Sequence, residues 1–174
     1  NGLSGEQKML LMSQIEEVAE NFDYLLLDTQ AGIGSEVMYF NSAAAEIVCT
    51  INGEPTSLTD AYALIKVLSS EYGEKNISVI SNNVPDDAAG QAAFTRLSKA
   101  VERFLHVNLE YLGCVPCDSA MRAAVAEQRA LLQLFPSSAA ARAFARIAQR
   151  IDADFYRYRV KGGMQFFFRQ LMEA

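Results

Sequence analysis

Hydrophobic and polar positions along this chain follow two periods in turn, amphipathic stretches of helical spacing and short solid apolar runs. Ser4 and Gln7 fit a helix N-cap with its capping-box partner, and Leu10, Leu11, Ile15 and Val18 then repeat at helical spacing as far as Asn21. Tyr24-Leu25-Leu26-Leu27-Asp28 reads as a short, fully buried strand, and the run over 47–51 repeats the pattern. Beyond Glu54-Pro55-Thr56-Ser57, a helix carries Leu58, Ala61, Tyr62, Ile65 and Leu68 on one face. Residues 77–80 predict a third strand and 111–115 a fourth, separated by a helix bearing Phe94, Leu97, Val101 and Phe104. Further helices are predicted over 119–128 and 138–156. Strands that are apolar on both faces and alternate with helices predict an α/β fold built on a parallel sheet. An all-helical chain would leave four short apolar runs bounded by turns without an explanation.

The 174 residues suffice for one domain with a sizeable core. With 15 Lys and Arg against 21 Asp and Glu, the net charge of -6 gives no whole-surface field for gathering DNA or RNA. Direct nucleic-acid binding is therefore not expected, although a local basic patch is compatible with that total. Cys114 and Cys117 form a C-x-x-C that could serve redox or metal chemistry. There is no second cysteine pair, and the lone histidine, His106, stands on a predicted helix outside any ligand spacing. The structural reading of all three cysteines is preferred, and their scatter fits a reducing compartment. No run reaches the length of a membrane span and no signal peptide opens the chain, so a cytoplasmic protein is expected. The sequence starts at Asn1 and enters a helix almost at once, as expected of a segment of something longer.

Ligands of open parallel sheets bind beyond the carboxyl ends of the strands, and polar signals recur at those ends here. Asp28 closes the first predicted strand and leads into Thr29-Gln30-Ala31-Gly32-Ile33-Gly34. An aspartate so placed can hold Mg²⁺ directly or through water, and the glycines let the backbone turn tightly or approach a phosphate. Asn82 and Asn83 close the third strand, where their amides could read a base edge or cap a turn. Pro116-Cys117-Asp118 closes the fourth, in a loop that could border the same base. No G-x-x-x-x-G-K-[ST] occurs among the 174 residues, so nothing in them supplies the usual grip on a triphosphate.

Past Gly162-Gly163, Met164, Phe167, Phe168, Leu171 and Met172 recur at helical spacing near Arg157, Arg159, Lys161 and Arg169. Such a stripe beside basic residues can lie on an anionic membrane surface, pack on its own domain, or meet a partner protein.

These residues resemble a known family. Asp23-Tyr24-Leu25-Leu26-Leu27-Asp28-Thr29-Gln30-Ala31-Gly32-Ile33 looks like the Walker B and switch II segment of MinD/ParA-type P-loop ATPases. The segment Glu54-Pro55-Thr56-Ser57-Leu58-Thr59-Asp60-Ala61-Tyr62-Ala63-Leu64-Ile65-Lys66 is similar to that of the flagellar number regulators of the FlhG/FleN branch. The resemblance continues through Asn82, through Gly113-Cys114-Val115-Pro116-Cys117-Asp118 and into Arg122-Ala123-Ala124-Val125. It implies a three-layer α/β fold with a mostly parallel sheet of the deviant Walker A type, here without the N-terminal strand and P-loop. Residues 1–160 would form the C-terminal part of that ATPase domain and 161–174 an amphipathic C-terminal helix.

By the same resemblance Asp28 belongs to the Mg²⁺ and water network and Gly32 to the γ-phosphate-sensing loop. Asn82 lies against adenine, with Pro116 and Asp118 in the loop beside the base. ATP and Mg²⁺ are the implied cofactors of the intact protein, an ATP-bound homodimer its switching form. A FlhF-like GTPase or a flagellar transcription activator is the implied partner, and the C-terminal helix a peripheral membrane anchor at the inner face of the cell membrane. Gln30 departs from the family, whose members usually carry a small residue or proline there. The 174 residues alone are expected to be inactive as an ATPase. The alternatives are another MinD/ParA-like positioning or partitioning ATPase, or a nucleotide-free interaction module.

Overall fold

The computed structural model describes residues 22–154, together with Gln7, Leu10, Ser13 and Gln14. Those four are helical, and the Ser13 hydroxyl donates to the Leu10 carbonyl at 2.9 Å. The rest of the first predicted helix, including Ser4, Leu11, Ile15 and Val18, lies outside the described residues. So do Met164, Phe167, Phe168, Leu171 and Met172 of the terminal stripe. The chain divides into two compact units, Asn1–Ala45 with Arg159–Ala174, and Glu46–Tyr158.

In the first unit the expected strand over 24–28 does not form. Residues 24–28 are not in a strand, and Leu26 is 88% exposed. Strand geometry needs a neighbouring strand for its N–H and C=O groups, which apolar composition alone does not provide. The same unit contains a helix that the periodicity did not announce, α1 (Ser35–Ala43), which buries Val37, Met38, Tyr39 and Ala43. Its apolar residues run solidly from Val37 to Phe40 and so carry no helical period to read.

The second unit alternates strands and helices as the sequence predicts. β1 (Val48–Ile51), α2 (Pro55–Glu71), β2 (Asn76–Val84), α3 (Asp87–Phe104) and β3 (Asn108–Pro116) are followed by α4 (Ser119–Ala126), α5 (Leu131–Leu134) and α6 (Ala139–Asp154). The three strands form an open parallel sheet in the order β1-β2-β3. Pro55 opens α2 where its missing N–H costs nothing, and Gly73, with φ of 71°, follows the helix as Glu74 N–H donates back to Leu68. The Asp86 carboxylate caps α3 by accepting from Ala89 N–H at 2.8 Å, with Arg103 complementing the dipole at the other end.

Helices α2 and α3 pack on each other and on the strands, burying Ile65, Leu68, Leu97 and Val101. A separate cluster joins Leu112 and Val115 of β3 to Ala124, Leu131, Ala140, Ala143 and Ile147 of α4, α5 and α6, with Ile80 of β2 against it. Two expectations are corrected here, and one helix appears that was not expected. Phe104 is 66% exposed because α3 ends there, past the last turn that the sheet covers. His106 is exposed in the connection after α3 rather than on a helix. The short α5 has too few residues to show a period.

The approach of α3 to the sheet is closest at Gly90. A Cβ there would lie 2.7 Å from Cys114 Cβ and 2.9 Å from the Tyr111 hydroxyl. The Gly90 carbonyl accepts from the buried Ser81 hydroxyl at 2.9 Å, which ties helix to strand at the same point. Gly90→Ala is therefore expected to lower stability by about 1–3 kcal/mol, because helix and strand must part to admit the methyl. Gly53→Ala enters open space and should leave stability within about 1 kcal/mol of the parent. Urea denaturation of both variants checks the pair.

Candidate functional site

Parallel strands end together, so the carboxyl ends of β1, β2 and β3 share one edge of the sheet. On β1 that end is a tight loop. The Asn52 side-chain oxygen accepts from Glu54 N–H at 2.8 Å, its backbone N–H donates to Ser57 Oγ at 3.0 Å, and Arg96 reaches the Gly53 carbonyl at 3.4 Å. Asn52-Gly53 is a turn-forming pair that the sequence reading passed over. The donation from Arg96 of α3 was not legible.

On β2 and β3 the ends are locked side by side. Asn82 pairs with Val115 and Val84 with Pro116, and Cys117 N–H donates to the Val84 carbonyl at 2.8 Å. Asn82 and Asn83 are exposed, whereas Val84 is buried. Of the residues singled out from the sequence, Asn82, Pro116 and Asp118 thus come together at one edge of the second unit. Asp28 and Gly32 belong to the first unit. There Asp28 is exposed, and Gly32 has φ of 108°, a left-handed conformation that favours glycine. Among the described residues no group of three or more acidic, histidine or cysteine side chains could hold a metal ion. A single carboxylate such as Asp28 still suits Mg²⁺, which keeps several waters and takes one or two carboxylates beside phosphate oxygens.

Asp118 has a second occupation. One carboxylate oxygen accepts from Ala120 N–H at 2.9 Å, capping α4, and the other from Ala140 N–H at 3.0 Å in the first turn of α6. The N–H groups of Ala140 and then Ala120 hold its pKa below the ordinary 3.8. Its carboxylate is thus committed to two helices.

The C-x-x-C resolves into two unlike thiols. Cys114 is buried and donates to Asp87 Oδ1 at 2.9 Å, while Cys117 is exposed. Burial, reinforced by the Asp87 carboxylate, pushes the Cys114 thiol up to about 11, so it is neutral and unreactive near pH 7. Cys49 is likewise buried and pushed up to about 11. Beside Cys114, the Tyr111 ring lies against Phe94 at 4.8 Å, and its buried hydroxyl has no hydrogen-bond partner of good geometry.

No helix among the described residues is long and apolar enough to cross a membrane. No protein-family model matches the chain. It is 39% identical over 171 residues to the antiactivator FleN of Pseudomonas aeruginosa, a match covering 98% of this chain and 61% of that protein. It is 29% identical over 175 residues to the flagellum site-determining protein YlxH of Helicobacter pylori, with 98% and 59% covered. An uncharacterized ATP-binding protein of Methanocaldococcus jannaschii is 27% identical over 160 residues, with 92% and 58% covered. The chain spans about three fifths of the length of these curated relatives.

The bonds of Asp118 carry a pH prediction. A carboxylate whose folded pKa is depressed contributes stability that is fully present above its unfolded value and lost as pH falls through the folded value. Asp118→Ala should therefore lower the melting temperature at neutral pH. The gap to the parent should close as the pH drops below 3.8, as a melting series across that range would record.

Proposed function

Because the chain belongs to the flagellar FlhG/FleN branch of the MinD/ParA-type ATPases, we propose that it is part of an ATP-dependent, dimerising switch that regulates flagellum number or placement. The similarity to antiactivator FleN over 98% of the chain carries this reading. The sheet edge supports it, since Asn82 is exposed beside the Pro116 loop where a base could lie. An asparagine amide offers a donor and an acceptor together, which matches the paired acceptor and donor on adenine. Pro116 would wall the base, and the Asp118 loop would be held steady by the two helices it caps.

Asp28 would hold Mg²⁺ through its carboxylate or a bound water, and Gly32 would let the switch loop respond to the γ-phosphate. Bound ATP supplies the phosphoryl group whose loss to water resets the switch. The lysine and backbone cradle that grip a triphosphate have no counterpart among the 174 residues, so this part contributes base recognition and the Asp28 carboxylate. A homodimer when ATP is bound, a flagellar GTPase of the FlhF type or a flagellar transcription activator as partner, and a membrane contact through Met164, Phe167, Phe168, Leu171 and Met172 complete the proposal. The second reading is a nucleotide-free interaction module that keeps the sheet without the chemistry.

Calorimetry and light scattering on the complete gene product separate the two. Tight magnesium-dependent ATP binding with dimer formation is expected, and Asp28→Ala should slow hydrolysis by about 10- to 100-fold. The 174 residues alone should release no phosphate above background. Absence of ATP binding in the complete product would replace the switch with the interaction module. Release by the 174 residues that Asp28→Ala abolishes would overturn their assigned inactivity.

A further inference from the structure

We propose that Asn83 is a positioning residue for base recognition, its left-handed backbone holding Asn82 outward beside the Pro116 loop. The inference rests on the reading that Asn82 meets the base. Asn83 has φ of 55°, a region that residues other than glycine enter at a cost and that asparagine tolerates better than most. It falls where the ladder breaks. Asn82 pairs with Val115 and Val84 with Pro116, so Asn83 is an extra residue opposite nothing.

That one insertion sets the direction of three neighbours. Ser81 is buried and its hydroxyl is bound to the Gly90 carbonyl, so Asn82 takes the other side of the strand. Uninterrupted alternation would send Val84 to the side of Asn82. With the extra residue Val84 is out of phase with Asn82 and is buried, at 1% exposure, while Asn82 and Asn83 stay exposed. The Val84 carbonyl remains in place to accept from Cys117 N–H at 2.8 Å, which draws the Pro116 loop alongside. A residue that rejects the left-handed region would straighten the bulge, and a slip of one position turns side chains to the opposite face. The requirement is on the backbone, so glycine should satisfy it and a β-branched residue should not.

The test compares ATP, GTP and inorganic tripolyphosphate dissociation constants, by calorimetry on the complete gene product, for the parent, Asn83→Gly, Asn83→Val and Asn82→Ala. Asn83→Gly should bind ATP within about twofold of the parent, and Asn83→Val should lose about tenfold for ATP. Tripolyphosphate binding should be the same in all four. Asn82→Ala should erase the preference for ATP over GTP. If Asn83→Val does not fold, Asn83→Ala carries a smaller backbone penalty, and its loss should fall between that of Asn83→Gly and the roughly tenfold loss expected of Asn83→Val. Parent-like ATP affinity in Asn83→Val or Asn83→Ala, with Asn82→Ala impaired, overturns the positioning role alone. An unchanged ATP preference in Asn82→Ala overturns the base site and the inference together.

Discussion

A parallel strand covered on both faces must keep its side chains in phase with two helical layers at once, and this sheet meets that constraint with two one-residue bulges. In β3, Tyr111 and Cys114 approach Gly90 of α3, whereas Leu112 and Val115 enter the cluster formed with α4, α5 and α6. Each pair is three residues apart, which simple alternation forbids. The ladder shows the reason. Tyr111 pairs with Val79 and Gly113 with Ile80, so β3 gains a residue at Leu112, and Gly113 takes φ of 133°. Arg150 of α6 donates to the Leu112 carbonyl at 2.7 Å, satisfying an acceptor that the bulge turns out of the ladder. β2 then gains Asn83, and the register is restored at Val84 and Pro116. Because the second insertion offsets the first, the two strands end level, and their loops can share an edge.

The helices fix that edge from both sides. At Gly90 the absence of a side chain lets α3 sit against Cys114 and Tyr111, with the Ser81 hydroxyl bound to the Gly90 carbonyl beneath it. Asp87, in the first turn of α3, accepts from the Cys114 thiol, so the helix start is tied to the strand as well as packed on it. On the other side Asp118 divides its carboxylate between α4 and α6. The Pro116 loop cannot shift without disturbing one of those bonds. The polar groups nearest the edge are thus mostly committed to structure, which leaves Asn82 and Asn83 as the exposed amides there.

The strands of the second unit were legible because a doubly covered strand is written as an apolar run, and α2, α3 and α6 because one face of each repeats at 3.6 residues. Residues 24–28 have the same apolar character, but a strand also needs a neighbour, and sequence does not state which backbone groups will find one. α1 was hidden by a solid apolar run, and Phe104 was assigned to the core because periodicity does not reveal where the sheet beneath a helix ends. The strand-end rule did gather Asn82, Pro116 and Asp118 at one edge. It could not foresee that Asp118 would spend both oxygens on helix N-termini, because Ala140 is 22 positions away and nothing local marks it as a partner. The bulges escaped for a related reason: Gly113 permits a positive φ and Asn83 tolerates one, but neither residue demands it.

This division of labour bears on what the proposed switch asks of each part. Amide contacts to a base are worth about 1–3 kcal/mol of discrimination, enough to choose adenine but too little to retain a nucleotide alone. Retention falls to a phosphate grip, and a chain of net charge -6 disfavours a polyanion unless cations are concentrated locally. At the edge described here Arg96 is directed to the Gly53 carbonyl and no lysine lies in the strand-end loops. In the proposed switch this edge would choose the nucleotide rather than hold it. Under the proposed function, affinity and hydrolysis then depend on residues that bring positive charge to the Asp28 side. For that role a doubly bulged edge tied to helices on both sides would be the suitable counterpart, because selectivity for a base needs fixed amide geometry more than it needs binding energy.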